Sequence, residues 1–87
     1  MPKFEKPISV KCKQGLHARP AAMFVQIANR FSSAVLVRRG TEEVNGKSIM
    51  GILMLGADQN CEICLTVDGK DAEQAFKELE VFLGKEE

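Results

Sequence analysis

Apolar and polar positions alternate with a period of two at Ile8, Val10 and Cys12, separated by Ser9 and Lys11, as in a strand with one buried face. Pro7 cannot donate to a ladder, which predicts an edge position for this strand. The period then changes: Ala21, Phe24, Val25, Ala28 and Phe31 form a stripe at helical spacing, with Gln26, Asn29 and Arg30 largely outside it. An amphipathic helix is predicted from Ala18 to Phe31. Val35 and Val37 open a second strand, and Arg39-Gly40-Thr41-Glu42 offers a turn into a short third strand around Val44. Ser48 can cap a helix running to about Leu55. Ile63, Leu65 and Val67 alternate with Glu62, Cys64 and Thr66 in a fourth strand. The last helix starts near Asp71 and follows Ala72, Ala75, Phe76, Leu79 and Phe82, with Gly84 as its C-cap.

Strand, helix, strand, strand, helix, strand, helix, with one buried face per strand, predicts an open-faced two-layer α/β sandwich. A single domain over 1–87 is expected, without linker, repeat or low-complexity segment. A chain of 87 residues buries only roughly 60 to 65% of its unfolded surface, which leaves no room for a deep catalytic cleft.

The zero net charge hides an asymmetry. Residues 1–40 carry eight Lys and Arg against Glu5 alone, and residues 41–87 carry four against eleven acids. The basic half contains the only histidine, His17, and would attract phosphate groups or an acidic partner surface. Its basic residues are scattered, and the chain has no Trp or Tyr to stack on bases, so no nucleic-acid partner is expected. The charged segment Met1–Lys6 leads straight into a strand pattern and resembles neither signal peptide nor membrane span; a soluble, cytoplasmic protein is expected.

The chemistry concentrates in Gln14-Gly15-Leu16-His17-Ala18-Arg19-Pro20-Ala21-Ala22. Gly15 permits a tight or left-handed backbone. Pro20, with no N–H to lose, belongs in a first helical turn. The free N–H groups of that turn, at Ala18 and Arg19, favour an anion beside His17, and Arg19 adds a fork of donors matched to phosphate oxygens. A cap without chemistry would more usually be Ser, Thr, Asp or Asn. A neutral imidazole can attack phosphorus and later leave, so the constellation suits phosphoryl transfer through a phosphohistidine.

The second constellation is Asn45-Gly46-Lys47-Ser48-Ile49-Met50-Gly51. Ser48 is an ordinary N-cap and Gly46 an ordinary turn residue. The helix after them is apolar nearly all round, and two turns cannot bury every face against one layer, so part of it should form an exposed docking patch. A phosphate on Ser48 would add nearly two negative charges beside that patch and switch partner binding.

Cys61-Glu62-Ile63-Cys64 spells C-x-x-C at the start of a strand, where side chains three apart point to opposite faces. With three cysteines in all, reduced thiols are expected rather than a disulfide framework or a metal site: Cys12 in the core, Cys64 on the open sheet face. Gly56-Ala57-Asp58-Gln59-Asn60 lacks the spacing and Lys of a P-loop and reads as a turn.

From Phe4 to Leu83 the chain resembles the HPr family of phosphocarrier proteins of the bacterial phosphoenolpyruvate-dependent sugar phosphotransferase system. Gly15-Leu16-His17-Ala18-Arg19-Pro20-Ala21 looks like the family's active-site signature, and Lys47-Ser48-Ile49-Met50-Gly51 like its regulatory serine signature. The resemblance implies an antiparallel sheet in the order 1-4-2-3 with three helices on one face. It implies that His17 accepts a phosphoryl group on Nδ1 from enzyme I and passes it to a sugar-specific enzyme IIA, with Arg19 stabilising it. Ser48 would be the substrate of an ATP-dependent HPr kinase/phosphorylase, with a catabolite-control transcription factor as a further partner. Ala22, Met23, Ile49, Met50 and Leu53 would form the docking surface. A monomeric carrier without cofactor or free-standing turnover is expected. Asn60 stands where many members have Gly, which suits a left-handed backbone. Regulatory relatives that lack the active-site histidine are poor guides, since His17 is present; a regulatory module, of the nitrogen branch or of catabolite control, is the alternative.

Overall fold

The seven elements are β1 (Lys3–Ser9), α1 (Ala18–Ala28), β2 (Ala34–Arg39), β3 (Glu42–Asn45), α2 (Ile49–Leu55), β4 (Glu62–Asp68) and α3 (Ala72–Leu83). The computed structural model describes residues 2–85; residues 1, 86 and 87 of the expected domain lie outside them. The four strands form one antiparallel sheet in the order β1-β4-β2-β3. Pro7 sits in edge strand β1, opposite Cys64, where its missing N–H interrupts no second ladder.

Register explains which face is covered. Phe4, Lys6 and Ile8 pair with Val67, Leu65 and Ile63, and Val35 and Val37 pair with Val67 and Leu65. Apart from Lys6, these side chains are apolar and meet Ala21, Phe24 and Ala28 of α1, Ile52 and Leu55 of α2, and Ala72, Ala75, Phe76, Leu79, Phe82 and Leu83 of α3 in one core. Phe24 and Phe82 lie with ring centroids 6.3 Å apart, tying α1 to α3, and Phe4 lies 6.0 Å from Phe76, tying β1 to α3. Lys6 shares this face at the sheet edge, where its ammonium reaches Glu80 of α3 at 2.7 Å.

Three boundaries differ from the sequence pattern. β1 starts earlier and ends at Ser9, because the next amides turn elsewhere: Val10 donates to Cys61 O and Lys11 to Leu83 O. Val10 and Cys12 are nevertheless buried, so the alternation reported burial rather than pairing. α1 stops at Ala28, with Asn29 as its C-cap, whose side chain donates to Val25 O and to Lys47 O. Phe31 packs half-buried beyond that end. Gly84 does cap α3, with right-handed backbone (φ −80°). No helix among the described residues is long and apolar enough to cross a membrane.

Candidate functional site

The approach to α1 is built by two neighbouring loops. Gly15 donates its N–H to Cys12 O, and the buried Leu16 donates to Ala57 O at 2.7 Å. Gly15 has φ +66°, and a Cβ there would overlap Ala57 O and lie 2.8 Å from Asp58 Cα. Only glycine lets the β1–α1 loop sit this closely on the α2–β4 loop. Asn60, with φ +68°, takes the left-handed backbone inferred for it.

With Leu16 anchored, His17 is turned outward at the N-cap of α1 in extended conformation, and its side chain makes no cap hydrogen bond. Ala18 follows with φ +39°, a left-handed backbone that costs about 1–3 kcal/mol for a non-glycine residue. A left-handed residue beside helical ones gathers successive N–H groups on one side, as anion-binding concavities do. Pro20 offers no N–H, so the amides of Ala18 and Arg19 remain for an anion at the positive end of α1.

His17 Nε2 lies 2.9 Å from Asp58 Oδ1, with both side chains largely open to solvent. The hydrogen bond from His17 holds the Asp58 carboxyl below its ordinary value, and the charge of Arg39 adds to this. Arg39 itself donates through Nη1 to the carbonyls of Leu55 and Gly56, placing a cation at the C-terminus of α2. Asp58 escaped the sequence reading: it lies in a segment read as a turn, 41 residues from its partner, and carries no periodic or motif signal.

Arg19 is exposed, forms no ion pair among the described residues, and lines a 520 Å³ pocket with Gln14, Pro20, Met23, Phe82 and Lys85. His17 is not part of that lining. Of the expected docking residues on α1, Met23 is exposed and Ala22 half-buried.

Ser48 caps α2 as expected, its Oγ accepting from the Gly51 N–H at 3.1 Å. Lys47 Nζ donates to Phe31 O, and together with the Asn29 bond this ties the serine loop to the end of α1. Only Ile52 and Leu55 of α2 are buried. Ile49, Met50 and Leu53 are exposed, and so is Met54, at 69% the most exposed large apolar side chain described. A two-turn helix lying on the sandwich leaves an apolar outer face.

Cys12 is buried, which pushes its thiol up from the ordinary value, and Cys61 and Cys64 are half-buried. Among the described residues no three His, Cys, Asp or Glu side chains gather as metal ligands do.

The family described as "PTS HPr component phosphorylation site" matches residues 4–85. The HPr-like protein Crh of Halalkalibacterium halodurans is 45% identical over 82 residues, covering 94% of this chain and 98% of that one. The crystal structure of a phosphocarrier protein HPr from Bacillus anthracis superposes with a TM-score of 0.92 at 41% identity, covering 95% of this chain and 99% of that chain. A crystal structure of Crh from Bacillus subtilis, described as a swapped, intertwined dimer, superposes with a TM-score of 0.75 at 42% identity over 87% of each chain. The match spans nearly the whole chain and both signature segments: this protein belongs to the HPr family.

Proposed function

We propose that the protein is a phosphocarrier of the phosphotransferase system, acting in the cytoplasm between enzyme I and a sugar-specific enzyme IIA. The observation that carries this reading is His17 itself: exposed, at the mouth of α1, with the Ala18 and Arg19 amides unused beside it. The neutral ring attacks the phosphorus of phosphoenzyme I through Nδ1. The N–P bond to His17 forms as the bond to the donor breaks, and the electron pair leaves with the donor group. First-turn amides and the Arg19 guanidinium neutralise the transferred oxygens. Transfer onward reverses these roles. The exposed face of α2 with Met23 seats the partners, and phosphate on Ser48 would set nearly two negative charges at the rim of that seat.

Similarity to Crh, a relative described as HPr-like, favours a second reading, in which Ser48 and the α2 face serve a catabolite-control partner. One experiment separates the two. Purified protein is incubated with enzyme I and phosphoenolpyruvate, and intact mass is read before and after mild acid, with His17→Ala alongside. One acid-labile phosphoryl group, absent from the variant, is expected. No addition from an enzyme I active on another HPr would leave the regulatory reading standing.

A further inference from the structure

Among the described residues, one ionisable side chain lies within hydrogen-bonding distance of the reactive ring. Asp58 Oδ1 lies 2.9 Å from His17 Nε2, and the seat of Gly15 on the Ala57–Asp58 backbone holds the two loops in this relation. An ionised carboxylate only accepts hydrogen bonds, so the shared proton resides on Nε2. In a neutral ring with Nε2–H, the lone pair is on Nδ1.

We propose that Asp58 is the positioning residue of the phosphoryl acceptor, selecting the Nε2–H tautomer of His17 and accommodating the positive charge the ring gains when Nδ1 bonds phosphorus. The inference rests on the carrier reading of His17. When Nδ1 donates its lone pair, the Nε2 proton stays in place and the ring becomes cationic; a carboxylate on that proton stabilises the product without touching the phosphoryl group. This is the division of labour between histidine and aspartate in a hydrolase triad, with phosphorus in place of the proton. Asp58 sits on one edge of the ring, and the Arg39 guanidinium holds the carbonyls of Leu55 and Gly56 in the loop that carries Asp58. The anionic carboxylate thus sits at Nε2, across the ring from Nδ1. Because the pair is open to solvent, its effect on transfer is modest, roughly two- to fivefold.

The test uses protein labelled with ¹⁵N in the histidine ring, comparing wild type with Asp58→Ala and Asp58→Glu. In the wild type the long-range proton–nitrogen spectrum should show a protonated Nε2 and a bare Nδ1. Asp58→Ala should give a tautomer mixture, unchanged amide signals in the core, and transfer from enzyme I slower by roughly two- to fivefold. Asp58→Glu should recover part of both. Identical ring spectra in wild type and Asp58→Ala, or equal transfer rates, would overturn the proposal. Failure of the wild type to take up phosphate would instead sink the carrier reading and with it the transfer role of Asp58; the ring spectrum, which needs no partner, tells the two failures apart.

Discussion

Replacing Gly15 by Ala perturbs the seat that brings His17 and Asp58 together, and Gly40→Ala supplies its control. Both glycines have left-handed backbone, φ +66° and +63°, but a Cβ at Gly40 meets nothing within 4 Å, while at Gly15 it overlaps Ala57 O and crowds Asp58 Cα at 2.8 Å. The left-handed conformation alone costs an L residue about 1–2 kcal/mol. Overlap with backbone, which cannot rotate away, adds about 1–3 kcal/mol at Gly15. For a domain of this size each kcal/mol lowers Tm by about 4–8 °C. Gly40→Ala should therefore lose about 4–16 °C and Gly15→Ala about 8–40 °C in a thermal melt. Phosphoryl uptake at 10 °C, where both remain folded, should fall only in Gly15→Ala, because relief of the overlap moves the Ala57–Asp58 backbone from the His17 loop. Equal losses of Tm in the two variants would refute the argument that close approach, rather than backbone handedness, is what requires Gly15.

Arg19→Ala should slow transfer from enzyme I roughly tenfold, or shorten the phosphohistidine lifetime, with the melt unchanged, since Arg19 forms no ion pair among the described residues. Unaltered transfer kinetics would remove its role as phosphate clamp. Ser48→Ala should lose about 1 kcal/mol through the missing cap, whereas Ser48→Asp keeps a capping oxygen and a favourable charge at the helix start, so its Tm should hold while enzyme I docking weakens. Equal docking by wild type and Ser48→Asp would argue against an electrostatic switch. The Asp71 carboxyl accepts from the Ser33 hydroxyl and from the Ser32 and Ser33 amides, which lowers it from 3.8 to about 2. Its folded value lies below its unfolded one, so the stabilisation is complete above about pH 4 and is lost as pH falls towards 2. The urea midpoint of wild type should exceed that of Asp71→Asn at pH 5 and converge on it near pH 2; a constant gap would assign the effect to packing instead.

The elements of the fold were legible because burial on one face writes a period into the chain. Val35 and Val37, the residues Ile63, Leu65 and Val67, and the Ala21–Phe24–Ala28 stripe each bury the side predicted, although Thr66 on the other side of β4 is buried as well. Boundaries were less legible: Cys12 continued the strand alternation although pairing ends at Ser9, and Phe31 continued the helical stripe although Asn29 ends α1. In both cases the side chain stays in or against the core after the backbone has left its element, and periodicity cannot distinguish the two.

Local chemistry was legible for a related reason. A glycine, a histidine, an arginine and a proline within six residues, and a serine before an apolar turn, act through backbone geometry that the same residues create, so their spacing alone suggested the proposed anion site and predicted the cap of α2. Asp58 and Arg39 could not be found this way. A turn carboxylate becomes the partner of a histidine 41 residues earlier only when Gly15 lets two loops touch, and Arg39 reaches the same loop from the end of β2. Sequence by itself determined which elements form and which residues are candidates for the proposed chemistry; the tertiary structure alone decided which distant groups meet at His17, since contact between loops depends on how the layers pack and leaves no period in the chain.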